Sequence, residues 1–262
     1  MYIKIFTIVS LLAFSAAATG QPQPDTNRID NNGMKQGYWI KRYPNGNTMY
    51  EGLFQNDHPV GEFRRYYETD SLRSVLIYSH NGDTTDAVFY HPNGYIASEG
   101  RYIKQIKEGR WNFFSESEKG YLICEEDYSD NIRNGVSIKY YPDRTVAERL
   151  EFINGKREGE WLMFYPNGKM LLKSYFSNDL RNGKYEIWDE DGIIKISGCY
   201  KNNLREGSWF FYNKDKTVRY KIDYVAGNTD DHQKDIDATN LINEIEQKNK
   251  DIPDPEKTGE IR

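Results

Sequence analysis

An aromatic side chain returns every 24 residues along this chain, at Phe54, Tyr78, Tyr102, Tyr128, Phe152, Phe176, Tyr200 and Tyr224, with one two-residue slip. A period of this length marks a repeat architecture. A unit so short cannot bury a core alone, so it must stack on copies of itself. Glycine forms a second column in the same register, at Gly37, Gly61, Gly109, Gly135, Gly159, Gly183 and Gly207, with Thr85 where one more would stand. Both columns slip together around the polar run 115–120, so they belong to one unit.

Two residues after each glycine position stand Trp39, Phe63, Ala87, Trp111, Ser137, Trp161, Tyr185 and Trp209. Five after it stand Arg42, Tyr66, Tyr90, Phe114, Tyr140, Phe164, Trp188 and Tyr212. Short aromatic and β-branched runs bounded by Gly, Asn, Asp and Pro read as strands. Pro44-Asn45-Gly46, Pro92-Asn93-Gly94 and Pro166-Asn167-Gly168 supply one turn of each unit, and Asn154-Gly155 exemplifies the other. The expected fold is therefore all-β, an elongated antiparallel meander of about eight 24-residue hairpins. Sixteen strands at about 4.8 Å each give a sheet roughly 75 Å long. Trp39, Phe54, Phe63, Tyr78, Tyr102, Trp111, Tyr128, Phe152, Trp161, Phe176, Tyr185, Tyr200, Trp209 and Tyr224 form its expected core. One point stays open. Offsets of two and five have opposite parity, so either a bulge separates them or the sheet is aromatic on both faces.

The pattern Gly-x-Trp-x-x-Phe-Tyr-Pro-Asn-Gly-Lys, clearest from Gly159 to Lys169, resembles the variant MORN repeat of YwqK-family antitoxins. The resemblance runs from Gly37 to about Gly227, and the third unit departs from it at Thr85 and Ala87. It implies a stack of β-hairpins and, for that family, neutralisation of a toxic partner protein.

Residues 1–20 read as an export signal: Lys4, then an apolar stretch from Ile5 to Phe14, then a small-residue cleavage site before Gln21. The apolar part is too short to span a bilayer, and no cysteine at the cleavage point invites a lipid anchor. The expected location is periplasmic or secreted, with no transmembrane segment left after the signal is removed. Residues 21–36 read as a polar linker leading into the repeats of 37–227. Residues 228–262 form an acidic tail in which Ile236, Leu241, Ile242 and Ile245 allow one short capping helix. The tail holds ten Asp and Glu against five Lys and Arg, a balance of −5. The whole chain carries −5 and residues 1–20 carry +1, which leaves −1 for residues 21–227. A nearly neutral body excludes general nucleic-acid binding, which needs a basic face. Cys124 and Cys199 fall three repeats apart, about 29 Å in such a sheet. A disulfide spans less than about 7 Å between α-carbons, so two free thiols are expected.

The chain has no nucleophile elbow, phosphate loop or Cys-x-x-Cys pair. His58, His80, His91 and His232 have no metal-ligand neighbours at useful spacing, so no catalytic residue, metal or cofactor is expected. Asp189, Glu190 and Asp191 fill a turn position, where solvation explains them better than calcium. Two columns are candidate binding residues. Lys107, Arg133, Arg157, Arg181 and Arg205 occupy one equivalent position, and their side chains suit an acidic surface or cover aromatic rings. Tyr67, Tyr141 and Tyr165 suit stacking against a sugar or a protein partner, or belong to the core. The expected function is a non-catalytic exported scaffold that binds a macromolecule, foremost a protein. The alternative is a glycan- or lipid-binding protein of the cell envelope.

Overall fold

A computed structural model describes residues 26–79 and 82–247. The proposed signal 1–20, the first part of the 21–36 linker, His80 and the end of the tail lie outside the described residues. The first two repeats comprise β2 (Lys35–Arg42), β3 (Thr48–Gln55), β4 (His58–Tyr66) and β5 (Leu72–Tyr78), preceded by β1 (Arg28–Ile29). The next two comprise β6 (Thr84–Tyr90), β7 (Ile96–Ile103), β8 (Ile106–Phe114) and β9 (Leu122–Ser129). Repeats five and six comprise β10 (Ile132–Tyr140), β11 (Val146–Ile153), β12 (Lys156–Phe164) and β13 (Met170–Ser177). The last two comprise β14 (Leu180–Arg181), β15 (Gly183–Trp188), β16 (Ile194–Lys201), β17 (Leu204–Tyr212) and β18 (Val218–Tyr224). Among the described residues a single helix, α1 (His232–Gln247), follows.

The strands form one open antiparallel meander, each hairpin paired to the next, as the 24-residue period requires. Among the described residues there are eighteen strands rather than sixteen, for two reasons. Arg28–Ile29 adds an edge strand against β2, and Asn182 splits one strand into β14 and β15, both paired to β13.

Turn chemistry fixes this register. One edge of the sheet carries two-residue turns with both residues left-handed, such as Asn56-Asp57 (φ 51° and 66°) and Asn202-Asn203 (52° and 68°). These match the twist of the strands they join. The other edge carries Pro-Asn-Gly turns, where the Gly46 amide donates to the Tyr43 carbonyl at 3.0 Å and Gly46 takes φ 90°. The glycine column has a separate task. Between repeats the register shifts beside it, for example from Leu150↔Trp161 to Glu151↔Glu158. Two extra residues on the second strand are absorbed there by Gly159 at φ 76°. Where Thr85 replaces glycine, β5 and β6 pair from Tyr78↔Thr85 to Ser74↔Phe89 with no shift at all. The bulge is a property of the glycine.

The open parity question also resolves. In β12 and β13 the pairs Trp161↔Ser174, Leu162↔Lys173 and Met163↔Leu172 run without a break, and the shift comes only at Phe164. Strict alternation therefore places Trp161 and Met163 on one face and Phe164 on the other. The Tyr38 and Tyr66 hydroxyls, at offsets one and five, both donate to Glu51, at 2.9 and 2.6 Å, so these side chains share a face. The sheet is aromatic on both faces. One face, here the aromatic face, carries the tryptophans and the core. The other is laced by cross-strand ion pairs such as Arg101–Asp86 and Lys173–Glu160.

On the aromatic face Phe63, Trp111, Tyr128, Phe152, Trp161, Phe176, Tyr185, Tyr200, Trp209 and Tyr224 are buried, while Trp39, Phe54, Tyr78 and Tyr102 are half-buried. Cys124 is buried on this face and Cys199 is exposed, and both are free thiols.

Candidate functional site: the aromatic face and its basic column

Each basic side chain two residues before the glycine position lies over rings of its own face. The Lys107 ammonium sits 4.8 Å from the Trp111 and Tyr128 ring centres. Arg133 and Arg157 stand 4.2 Å from Phe152 and Phe176. Arg181 covers Tyr200 at 5.2 Å, and Arg205 covers Trp209 at 5.3 Å and Tyr224 at 5.4 Å. A cation over a desolvated ring face gains from the ring's negative quadrupole, and its alkyl stem shields apolar surface. The column has a further member that sequence reasoning passed over: Lys35, 4.9 Å from Trp39 and 4.8 Å from Phe54. Its place two residues before Gly37 was the available signal.

Stitching between repeats starts from this same column. The Lys107, Arg157 and Arg181 amides donate to Asn131, Asp179 and Asn203 in the next repeat's turn, at 2.7 to 3.0 Å. The glutamates following Lys107, Arg157 and Arg205 accept from backbone amides of the next turn along: Glu108 from Asp130, Glu158 from Asn178 and Glu206 from Ala226. At the opposite edge the tyrosine column does equivalent work. Tyr67, Tyr141 and Tyr165 donate their hydroxyl hydrogens to the carbonyls of Tyr90, Phe164 and Trp188, at 2.7, 2.7 and 2.9 Å. His91, in the same column, meets the Phe114 carbonyl at 3.2 Å. Tyr165 is buried. Tyr165→Phe should therefore cost about 1 kcal/mol in urea unfolding, the net worth of one hydrogen bond. An unchanged midpoint would show that this strut carries no stability.

The helix α1 lies over the aromatic face of repeats six to eight. Ala238, Ile242 and Ile245 are buried in one cluster with Trp161, Met163, Tyr185, Ile187, Trp209 and Tyr224. Leu241 is partly buried beside them, whereas Ile236 is 53% exposed. Both ends of the helix are clamped by charge. Glu246 accepts from Arg181 Nη2 at 2.6 Å and from the Tyr185 hydroxyl at 2.8 Å. Asp235 accepts from Arg205 Nη1 at 2.6 Å and from the Tyr224 hydroxyl at 2.7 Å. The expected capping helix is thus a lid on a face, not a plug on the last edge.

These surroundings hold several phenols neutral. Burial, reinforced by the bond to Asp235, pushes Tyr224 up to about 12. Burial and the Glu51 carboxylate do the same for Tyr38, burial and Glu125 for Tyr140, and burial with Glu190 and Asp189 for Tyr165. Tyr185 is pushed well above 10, first by burial and then by Glu246. An unfolded tyrosine ionises near pH 10. These residues therefore contribute stability that is intact below about pH 10 and is lost as pH rises toward 12. Phenolate absorbance should lag that of free tyrosine and then jump in one cooperative step as the sheet melts. Independent titration near pH 10 with the fold intact would contradict this.

Asp189 is committed locally, its Oδ1 accepting from the Asp191 and Ile193 amides at 3.0 and 2.9 Å. Among the described residues no group of three or more His, Cys, Asp or Glu side chains is placed to hold a metal ion. Among the same residues no helix is long and apolar enough to cross a membrane.

The family model described as MORN repeat variant matches residues 35–56, 157–178 and 181–202. No curated protein matches the chain. Among solved structures, the Tc holotoxin pore of Photorhabdus luminescens is similar at 11% identity and a TM-score of 0.19. That similarity covers 71% of this chain and 11% of the other, so the chain spans only a small part of that protein. The hairpin unit, its turns and the matched segments agree: this chain carries MORN repeats of the variant type.

Proposed function

We propose that this chain is a non-catalytic scaffold that binds another protein through the face of its repeat sheet. MORN repeats commonly serve as binding modules, and a stack of them presents one long surface. The observation that carries the reading is the aromatic face itself. In repeats six to eight it holds a helix of this chain, and in repeats one and two Trp39, Tyr50, Phe54 and Tyr78 stay half-buried with basic side chains beside them. Aromatic anchors flanked by basic side chains are the composition of protein-binding hot spots. The nearly neutral body gives no support to nucleic-acid binding.

The same proposal places the protein outside the cytoplasm, supported by the apolar stretch of residues 5–14 and the small residues before Gln21. Neutralisation of a toxic partner, as in the YwqK family, is one form this binding would take. A glycan or lipid ligand is the rival. It gains nothing from Tyr67, Tyr141 and Tyr165, whose hydroxyls serve neighbouring repeats. The test is capture with the tagged protein from envelope and medium fractions. One protein retained in near-stoichiometric amount is expected. Retention of glycan or lipid with no protein would overturn the reading.

A further inference from the structure

The proline-turn edge of the sheet is tied together by a row of ring struts. Six residues after the glycine position, a side chain reaches forward to the carbonyl of the fifth position in the next repeat. Tyr43 donates its hydroxyl hydrogen to the Tyr66 carbonyl at 2.9 Å, and Tyr67, Tyr141 and Tyr165 make the same bond at the second, fifth and sixth junctions. His91 serves the third, with a ring nitrogen 3.2 Å from the Phe114 carbonyl. In repeat four Ser115 holds the place, and Tyr121 reaches from the far side of the lengthened turn to the Tyr140 carbonyl at 2.8 Å. Six junctions in succession therefore carry a ring, whatever the residue type or loop length.

The seventh junction, between repeats seven and eight, breaks the row. Its place holds Asp189, whose Oδ1 accepts from amides of its own turn, those of Asp191 and Ile193. Asn213, at the same position of repeat eight, also bonds within its own turn, its Nδ2 donating to Thr217 Oγ1 at 3.0 Å. A second tie lapses here as well. Asn45, Asn93 and Asn167 each donate to a carbonyl of the next repeat, at Glu68, Glu116 and Glu190. Asp191 stands in that place before repeat eight, and a carboxylate has no hydrogen to give.

A cleft of about 280 Å³ occupies this junction. Its lining includes Asp189, where a strut would begin, and Tyr212, whose carbonyl is the equivalent end point. Tyr165, Ile193, Ile194 and Asn213 contribute to its walls. A cavity of roughly 150 Å³ is enough to take benzene, so a substituted ring has room here. The isoleucines supply apolar contact. A carbonyl has two lone pairs to share, so that of Tyr212 can offer a ring what the Trp188 carbonyl offers Tyr165.

We propose that this cleft is a socket for a tyrosine side chain of a partner protein. The ring takes the place that the chain's own ring holds at the other six junctions, and its hydroxyl donates to the Tyr212 carbonyl. This rests on the scaffold reading and adds an anchor that the partner supplies.

The probe is N-acetyl-tyrosine amide, titrated over the millimolar range into the isotope-labelled full chain. Saturable NMR shifts are expected at the amides of Ile193, Ile194, Asn213 and Lys214. N-acetyl-phenylalanine amide should bind about fivefold more weakly, the worth of one hydrogen bond. Asp189→Tyr gives the chain its own seventh ring, so it should abolish the shifts and, by filling the cleft, raise the urea midpoint. The comparison of the two amides on the unsubstituted chain decides the matter even if that variant fails to fold. Absence of saturable shifts at this junction, or equal binding of the two amides, overturns the proposal. So does a partner protein captured equally well with and without Asp189→Tyr, an outcome that leaves the scaffold reading intact. Binding of the amide by a chain that captures no protein overturns both, and leaves a small phenol as the ligand.

Discussion

Gly198→Ala should destabilise the protein by about 3 kcal/mol, the upper part of the range for overpacked cores. A methyl group there would lie 2.2 Å from Cδ2 and 2.4 Å from Cε2 of Trp209, whose ring is fully buried. The ring cannot retreat, because Tyr185 and Tyr200 stand 5.4 and 5.1 Å from it. Backbone strain plays no part, since Gly198 is not among the glycines with positive φ. Gly52 under Phe63 and Gly100 under Trp111 repeat the arrangement, with approaches of 2.3 Å. Gly207→Ala is the matched control. It has no neighbour within 4 Å but holds φ at 68°, so it should cost only the 1 to 2 kcal/mol of a left-handed alanine, about half as much. Urea unfolding separates the two, and equal losses would mean that ring-on-glycine packing is not what Gly198 is for.

The second large effect concerns α1. Ile242 is 2% exposed, and Ile242→Asp would force a carboxylate among buried rings. The helix should leave the face rather than bury the charge. The loss is then the whole docking energy of α1, about 2 to 4 kcal/mol by analogy with large core truncations. Limited proteolysis should cut within residues 232–247 while the sheet keeps its far-ultraviolet signal. Ile236→Asp, at a 53% exposed position of the same helix, should change neither. Release by both substitutions would mean that the helix has no specific seat.

Much of this was legible in the sequence, because the hairpin register is written in local chemistry. Asn, Asp and Gly mark left-handed turn residues at fixed offsets, and the glycine column marks the bulge where each repeat meets the next. Even the exception is local: Thr85 stands where the bulge is missing. The role of the basic column was only half legible. Arg157 over Phe176 follows from spacing, but the acids that clamp α1 do not, since Arg181 and Glu246 are 65 residues apart. No periodicity connects a repeat with a single helix that occurs once. The face assignment escaped as well, because it depends on the register shift falling at Phe164 and not before it. Tyr67, Tyr141 and Tyr165 read as either surface anchors or core, because their spacing shows regularity and not direction. Their hydroxyl bonds to carbonyls 23 residues ahead reveal struts.

The seat of α1 on the aromatic face is the central claim, since it supplies the lid of repeats six to eight. Amide hydrogen exchange on the full chain tests it most directly, because isolated helices of this length are marginal in water. The account predicts that amides from Ala238 to Glu246 exchange as slowly as those of β17 and β18, and that Arg181→Gln with Arg205→Gln makes them fast. Exchange of α1 at the rate of a free peptide in the unsubstituted protein would contradict it.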